Sequence, residues 1–195
     1  MNKKLVGLLA LATLALAGTA QAETLVRGRL IDIRPDTSSK PVTGVDVANK
    51  LAPDVDVSWF YNKHLAVELL LTIPQTHKVS LNGTSVGKAQ HLPPSLLLQY
   101  HQPMGERLRP YVGAGINYTL FTDRNLDGGM KLDASSFGPA IQAGMDIAIK
   151  DGWYFNVDVK KIWIDSDVSD ASGAFVTHVN IDPLVVGAGI GYAFR

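Results

Sequence analysis

His91 and Ser95 have the types that nucleophilic chemistry uses and stand close together in the chain. An imidazole activates a serine hydroxyl only within hydrogen-bond reach. Four residues along an extended strand span about 13 Å, so the pair meets only where Pro93-Pro94 breaks the strand, and polar lining is the simpler role for both. His64, His77, His91, His101 and His178 are scattered without ligand spacing, and the chain has no cysteine for a thiolate site. Gly113-Ala114-Gly115 runs on into a strand pattern rather than a helix, so it does not cradle phosphate. No catalytic residue, metal or cofactor is expected. What remains is electrostatic: Arg27, Arg29, Asp54, Asp56, Glu68, Asp146, Asp158 and Lys160 recur at alternate positions opposite apolar neighbours.

Such alternation needs strands to hold it. From Leu184 onward the even positions Leu184, Val186, Ala188, Ile190, Tyr192 and Phe194 are apolar or aromatic, while Gly187, Gly189, Gly191 and Ala193 are small. A second face of nearly bare backbone suits a crowded lumen, and the terminal aromatics suit a lipid interface. Seven more stretches pass the same test, near Leu25–Ile33, Val55–Tyr61, Leu65–Ile73, Leu92–Tyr100, Tyr111–Phe121, Phe137–Ile147 and from Trp153 to Lys160. The parity of the first weakens beyond Ile31. Two prolines cannot sit in an ordinary central ladder, so a bulge or break is expected at Pro93-Pro94. Lys161 interrupts its strand, either through a register shift before Trp163 or by snorkelling at an interface.

The connections alternate in length. Pro35 to Lys50, Gln75 to Ala89, Thr122 to Lys131 and Ser169 to Ala174 read as long loops; Asn62-Lys63, Gln102 to Arg107 and Lys150 to Gly152 read as shorter turns. In outer-membrane barrels the short turns and both chain ends lie on the periplasmic side. Trp59, Tyr61, Tyr100, Tyr118, Trp153, Tyr192 and Phe194, near strand ends, fit interfacial girdles.

Lys3 and Lys4, the apolar run Leu5 to Ala17 and the small-residue site Ala20-Gln21-Ala22 read as a secretory signal peptide over 1–22, leaving 23–195 as one barrel domain. Lysine plus arginine balance aspartate plus glutamate at 18 each, and without Lys3 and Lys4 the balance is slightly acidic. With no basic run, nucleic acid is not an expected partner. Beyond the leader no apolar run approaches the ~20 residues of a membrane helix, so membrane entry requires a closed sheet. The expectation is an all-β, eight-stranded antiparallel transmembrane β-barrel of the bacterial outer membrane.

Several stretches resemble the outer-membrane protein W (OmpW) family: His91-Leu92-Pro93-Pro94, Arg109-Pro110-Tyr111-Val112-Gly113-Ala114-Gly115-Ile116-Asn117-Tyr118-Thr119, and Ile181-Asp182-Pro183 before the Gly-rich terminus. Val67-Glu68-Leu69-Leu70 and Ile164-Asp165-Ser166-Asp167 resemble its third and seventh strands. Arg195 after the terminal Phe194, and Lys160 in place of an aromatic, depart from the family's pattern. The resemblance implies a narrow, largely apolar channel associated with passage of small hydrophobic compounds rather than ions.

The residues themselves predict a less apolar lumen. An eight-stranded barrel is just wide enough for side chains to fill, and charges buried together must pair, so they are expected to block part of it. Val42, Val45, Val79, Leu81 and Leu126 would give the outer mouth an apolar lining. A hydrophobic molecule entering there would leave sideways beside His91 to Pro94, with Leu70 and Leu97 lining the approach. The channel-lining candidates are therefore Glu68, Leu70, His91, Pro93, Pro94, Leu97, Asp146, Asp158 and Lys160. Expected partners are outer-membrane lipid and lipopolysaccharide, a small hydrophobic ligand and the assembly machinery, with the protein a monomer. The alternatives are a structural or interaction barrel with a packed lumen and partner-binding loops, and a soluble lipocalin-like periplasmic binder.

Overall fold

A computed structural model describes residues 23–195; the signal-peptide reading of 1–22 lies outside the described residues. Eight antiparallel strands close on themselves: β1 (Thr24–Arg34), β2 (Lys50–Phe60), β3 (Leu65–Thr72), β4 (Ser95–His101), β5 (Leu108–Asp123), β6 (Ser135–Ala148), β7 (Trp153–Ile162) and β8 (Leu184–Phe194). Each pairs with its neighbours in sequence, and β8 returns to β1 in register from Thr24↔Phe194 to Arg34↔Leu184. Closure leaves this ring no unpaired edge, the condition for holding backbone polar groups in lipid.

Facing follows parity. Leu98, Val112, Ile141 and Ile190 point outward and are exposed, forming an apolar band, while every one of the eight alternating charged residues is buried inside. Tyr61, Tyr100, Trp153 and Phe194 ring the end that holds Glu23, Arg195 and the short turns. The glycines of β8 make room for the arginines of β1: a Cβ at Gly191 would stand 2.9 Å from Arg27 Cγ, and one at Gly189 would run into the backbone of Gly28 and Arg29. Arg195 is held against the first described residue, its guanidinium donating to Glu23 at 2.8 Å and to the Tyr154 hydroxyl at 3.1 Å.

Beyond the other rim the chain does not end in open loops. The stretch Gln75 to Ala89, expected as a loop, belongs to a β-hairpin of Gln75–Leu81 and Thr84–Leu92 that continues the wall outward. Its turn is Asn82-Gly83, both at positive φ (50° and 80°), the backbone of a two-residue type I′ hairpin. Val45–Val47 pairs with its outer strand. Opposite stands a small sheet of Lys131–Leu132, Asp165–Ser169, Phe175–Asn180 and Ser38–Lys40.

Three details differ from the alternation read in the sequence. The parity of β1 persists past Ile31, for Ile31 and Ile33 are both buried; the inward face only changes from arginine to isoleucine. β7 runs without a register shift, and Lys161 keeps its outward parity while its ammonium donates to the Asp182 carbonyl at 2.6 Å. Pro94, assigned to the outward parity, is buried, because the strand breaks there and parity no longer fixes its face.

Candidate functional site: a charged seal beneath an apolar chamber

The inner surface has two chemistries stacked along the barrel axis. In the lower lumen the Arg27 guanidinium donates to Asp56 at 2.6 Å and, through two nitrogens, to Asp146 at 2.9 and 3.0 Å. Arg29 grips Asp54 with two hydrogen bonds of 3.0 and 3.1 Å and pairs with Asp56 at 2.8 Å. Lys160 bonds Asp158 at 2.6 Å and stands 3.6 Å from Glu68, which accepts from Gln99 at 2.6 Å. Charges this deeply buried are tolerable only because each meets an opposite charge and neutral groups fill many of the remaining valences, while Asp56 Oδ2 and Glu68 Oε1 rest on ion pairing with Arg29 and Lys160 alone. Ser58, Gln99, Tyr111 and Asn156 supply those groups, all from inward positions of the same strands. Below lies a small apolar floor of Leu25, Phe60, Ala66, Tyr154 and Ala193.

Above the charges the inward residues become Ile31, Ile33, Ala52, Leu97, Ile162, Ile164 and Val185, which form one apolar cluster with side chains from the outer hairpin and the small sheet. Within it lies a cavity of about 90 Å³. All five apolar residues proposed for the mouth, Val42, Val45, Val79, Leu81 and Leu126, line it. They are not all on loops, for Val45, Val79 and Leu81 sit on strands.

Between lumen and chamber the wall is interrupted. Pairing between β3 and β4 ends at Leu70↔Ser95 and resumes in the outer hairpin at Gln75↔His91. Among the described residues, Leu71 to Pro74 and Leu92 to Pro94 share no ladder pair across this seam. Pro74, Pro93 and Pro94 have no N–H to give it. The break is one-sided, because the Pro94 carbonyl still accepts from the Tyr118 amide at 3.0 Å on the β5 side.

The sequence-derived candidates divide between these levels. Glu68, Asp146, Asp158 and Lys160 meet in the seal; His91 lines the chamber; Leu70, Pro93, Pro94 and Leu97 are buried at or beside the seam. His91 and Ser95 do not pair: the Ser95 hydroxyl donates to the Pro93 carbonyl and accepts from Asn117, while the His91 ring stacks on His77 with centroids 4.9 Å apart. His77 was not singled out from the sequence. The turn alone gave no such signal: counted from Asn82-Gly83 the two histidines fall on opposite faces, and the register shift between Val79 and Ser80 brings them to one. The His178 Nδ1 meets Asp167 at 2.6 Å in the small outer sheet, and that contact raises the His178 pKa above its usual value.

A closed antiparallel barrel with a lipid-facing band, a lumen filled by paired charges and an apolar outer chamber defines an integral outer-membrane β-barrel protein. Comparison with known proteins gives the family. Residues 20–194 match the OmpW family, and the chain belongs to it. Outer membrane protein W of Escherichia coli is 33% identical over the whole of both chains. The dibenzothiophene metabolism operon protein DoxH of a Pseudomonas species is 32% identical, over 79% of this chain and 76% of the relative. Among solved structures, the outer membrane protein OprG of Pseudomonas aeruginosa superposes with a TM-score of 0.77 at 30% identity, covering 91% of this chain and 98% of that one. The protein is therefore an outer-membrane barrel of the bacterial cell, and the soluble periplasmic alternative is excluded.

Proposed function

We propose that the protein takes up small hydrophobic molecules, receiving them in the outer chamber and releasing them sideways into the membrane at the seam beside Pro93-Pro94. The observation that carries this reading is position: the unpaired seam adjoins the apolar chamber and lies above the charged seal. An apolar molecule passing down the axis would have to separate groups whose uncompensated burial costs several kcal/mol each. Leaving through the wall avoids that cost and keeps apolar surface from water at about 25 cal/mol per Å². A relative named for dibenzothiophene metabolism is consistent with an apolar cargo.

No catalytic step belongs to this proposal; binding and release suffice. Nor is a partner subunit needed, because the closed ring has no edge to cover. The filled lumen also supports a second reading, a structural barrel whose outer hairpin and small sheet bind another molecule. Uptake of a hydrophobic tracer by cells with and without the gene separates the two. Faster entry with the gene is expected, and equal rates would leave only the structural reading.

A further inference from the structure

The chamber wall is almost wholly apolar, and its polar contributors are His77, His91 and Thr177. The Thr177 hydroxyl is satisfied by the Val42 carbonyl at 3.3 Å. His77 is not fully satisfied: its ring is buried at 3% exposure, its Nδ1 lies 2.8 Å from the Ala48 carbonyl, and its Nε2 is buried with no partner among the described residues.

That carbonyl settles the tautomer. A carbonyl oxygen only accepts, so the proton of the neutral ring must sit on Nδ1, and Nε2 then carries a bare lone pair. Burial lowers the His77 pKa below its usual value, which keeps the ring neutral near pH 7. Stacking on His91 fixes the ring plane, so the lone pair cannot swing away to a protein donor. A buried acceptor left unmet costs free energy that a ligand can recover. Binding cavities are commonly built this way, with apolar walls and few polar groups that set orientation. Gln75↔His91 is the first pair beyond the seam and His77 lies two positions further along the same strand, so this lone pair stands near the exit.

We propose that His77 Nε2 is the polar anchor of the chamber, selecting apolar molecules that carry one hydrogen-bond donor, such as an aliphatic alcohol, over equally apolar molecules that carry none. This rests on the uptake reading and adds to it the chemical class of the cargo. The cavity is smaller than the ~150 Å³ that accepts a benzene ring, so a cargo of that size enters, and reaches the buried Nε2, only as the walls part.

The test uses the whole protein in lipid nanodiscs with histidine labelled by ¹⁵N, titrated with 1-pentanol or with its isomer butyl methyl ether. The two share a formula and an aliphatic body, but only the alcohol donates. The alcohol should bind roughly three- to ten-fold more tightly, the worth of one net hydrogen bond, and should shift the His77 Nε2 resonance while the ether leaves it in place. In His77→Phe, which keeps a ring to stack on His91, the preference should vanish. Equal affinity of the two isomers for the unaltered protein overturns the anchor and leaves the chamber intact. Binding of neither overturns the chamber reading and the anchor with it. If His77→Phe fails to assemble, the Nε2 resonance of the unaltered protein decides: a shift with alcohol alone supports the anchor, and none refutes it.

Discussion

The lower lumen and the upper chamber are built on the same strands with the same inward parity, yet their chemistry is opposite. β1 turns Arg27 and Arg29 inward and then, two positions on, Ile31 and Ile33; β7 turns Asp158 and Lys160 inward and then Ile162. Between β1 and β2 the change falls at one level, because the register places Arg29 opposite Asp54 and Ile31 opposite Ala52. Barrel closure fixes only which residues face inward and leaves their type free. One wall can therefore carry a rigid ionic seal and an apolar cup a few residues apart. The seal is stiff because nearly every charge in it has several partners. The cup is built partly from short outer strands and ends at a seam without ladder bonds, so it is the part able to open.

This contrast can be broken region by region. The largest effect should come from unpairing the seal. Arg27→Met leaves Asp56 to Arg29 alone and takes from Asp146 its two-nitrogen grip, leaving it Asn156 and a more distant Arg109, and a loss of about 3–5 kcal/mol is expected in urea unfolding from lipid bilayers; a loss below ~1 kcal/mol would mean that the lower lumen is wet and the seal loose. Next comes the lipid face, where Ile116→Arg should cost about 2–4 kcal/mol by the same assay if the band lies at the bilayer midplane. Truncating the chamber should be milder. Val79→Ala removes two methyl groups beside an existing cavity, so about 1.5–2.5 kcal/mol is at stake, and a cost equal to that of Arg27→Met would erase the distinction between the regions.

The smallest effect is confined to the outer sheet. His178 has its pKa raised by Asp167, so this pair stabilises the sheet below the unfolded histidine value and loses that contribution as pH rises through the folded one. With both side chains exposed to solvent the gain is at most about 1 kcal/mol. Protection factors of the Phe175–Asn180 amides, with the intrinsic base-catalysed rate divided out, should fall above that pKa and become independent of pH in His178→Gln; protection that grows with rising pH would reverse the sign.

The barrel was legible because lipid leaves little choice: each spanning strand must alternate, and one apolar parity survives inspection from Leu25 to Phe194. The inward charges were legible for the same reason. Their heights were not, since parity carries no register between strands, and the division into seal and chamber is a matter of height. The neutral members of the seal, Ser58, Gln99 and Asn156, were on the right face but look like ordinary polar lining until their partners are known. The outer hairpin was missed because its buried positions include the polar Gln75 and His77, and a register shift between Val79 and Ser80 interrupts what alternation remains. Asn82-Gly83 was the local sign that a hairpin, not a loop, joins β3 to β4.

The central claim is that cargo leaves through the seam rather than through the seal. It is tested most directly by the rate of hydrophobic tracer uptake in a variant whose Pro93 and Pro94 are replaced by threonine and valine, which can complete the ladder. The account predicts slower uptake from a barrel that assembles normally. Undiminished uptake in that variant would contradict it.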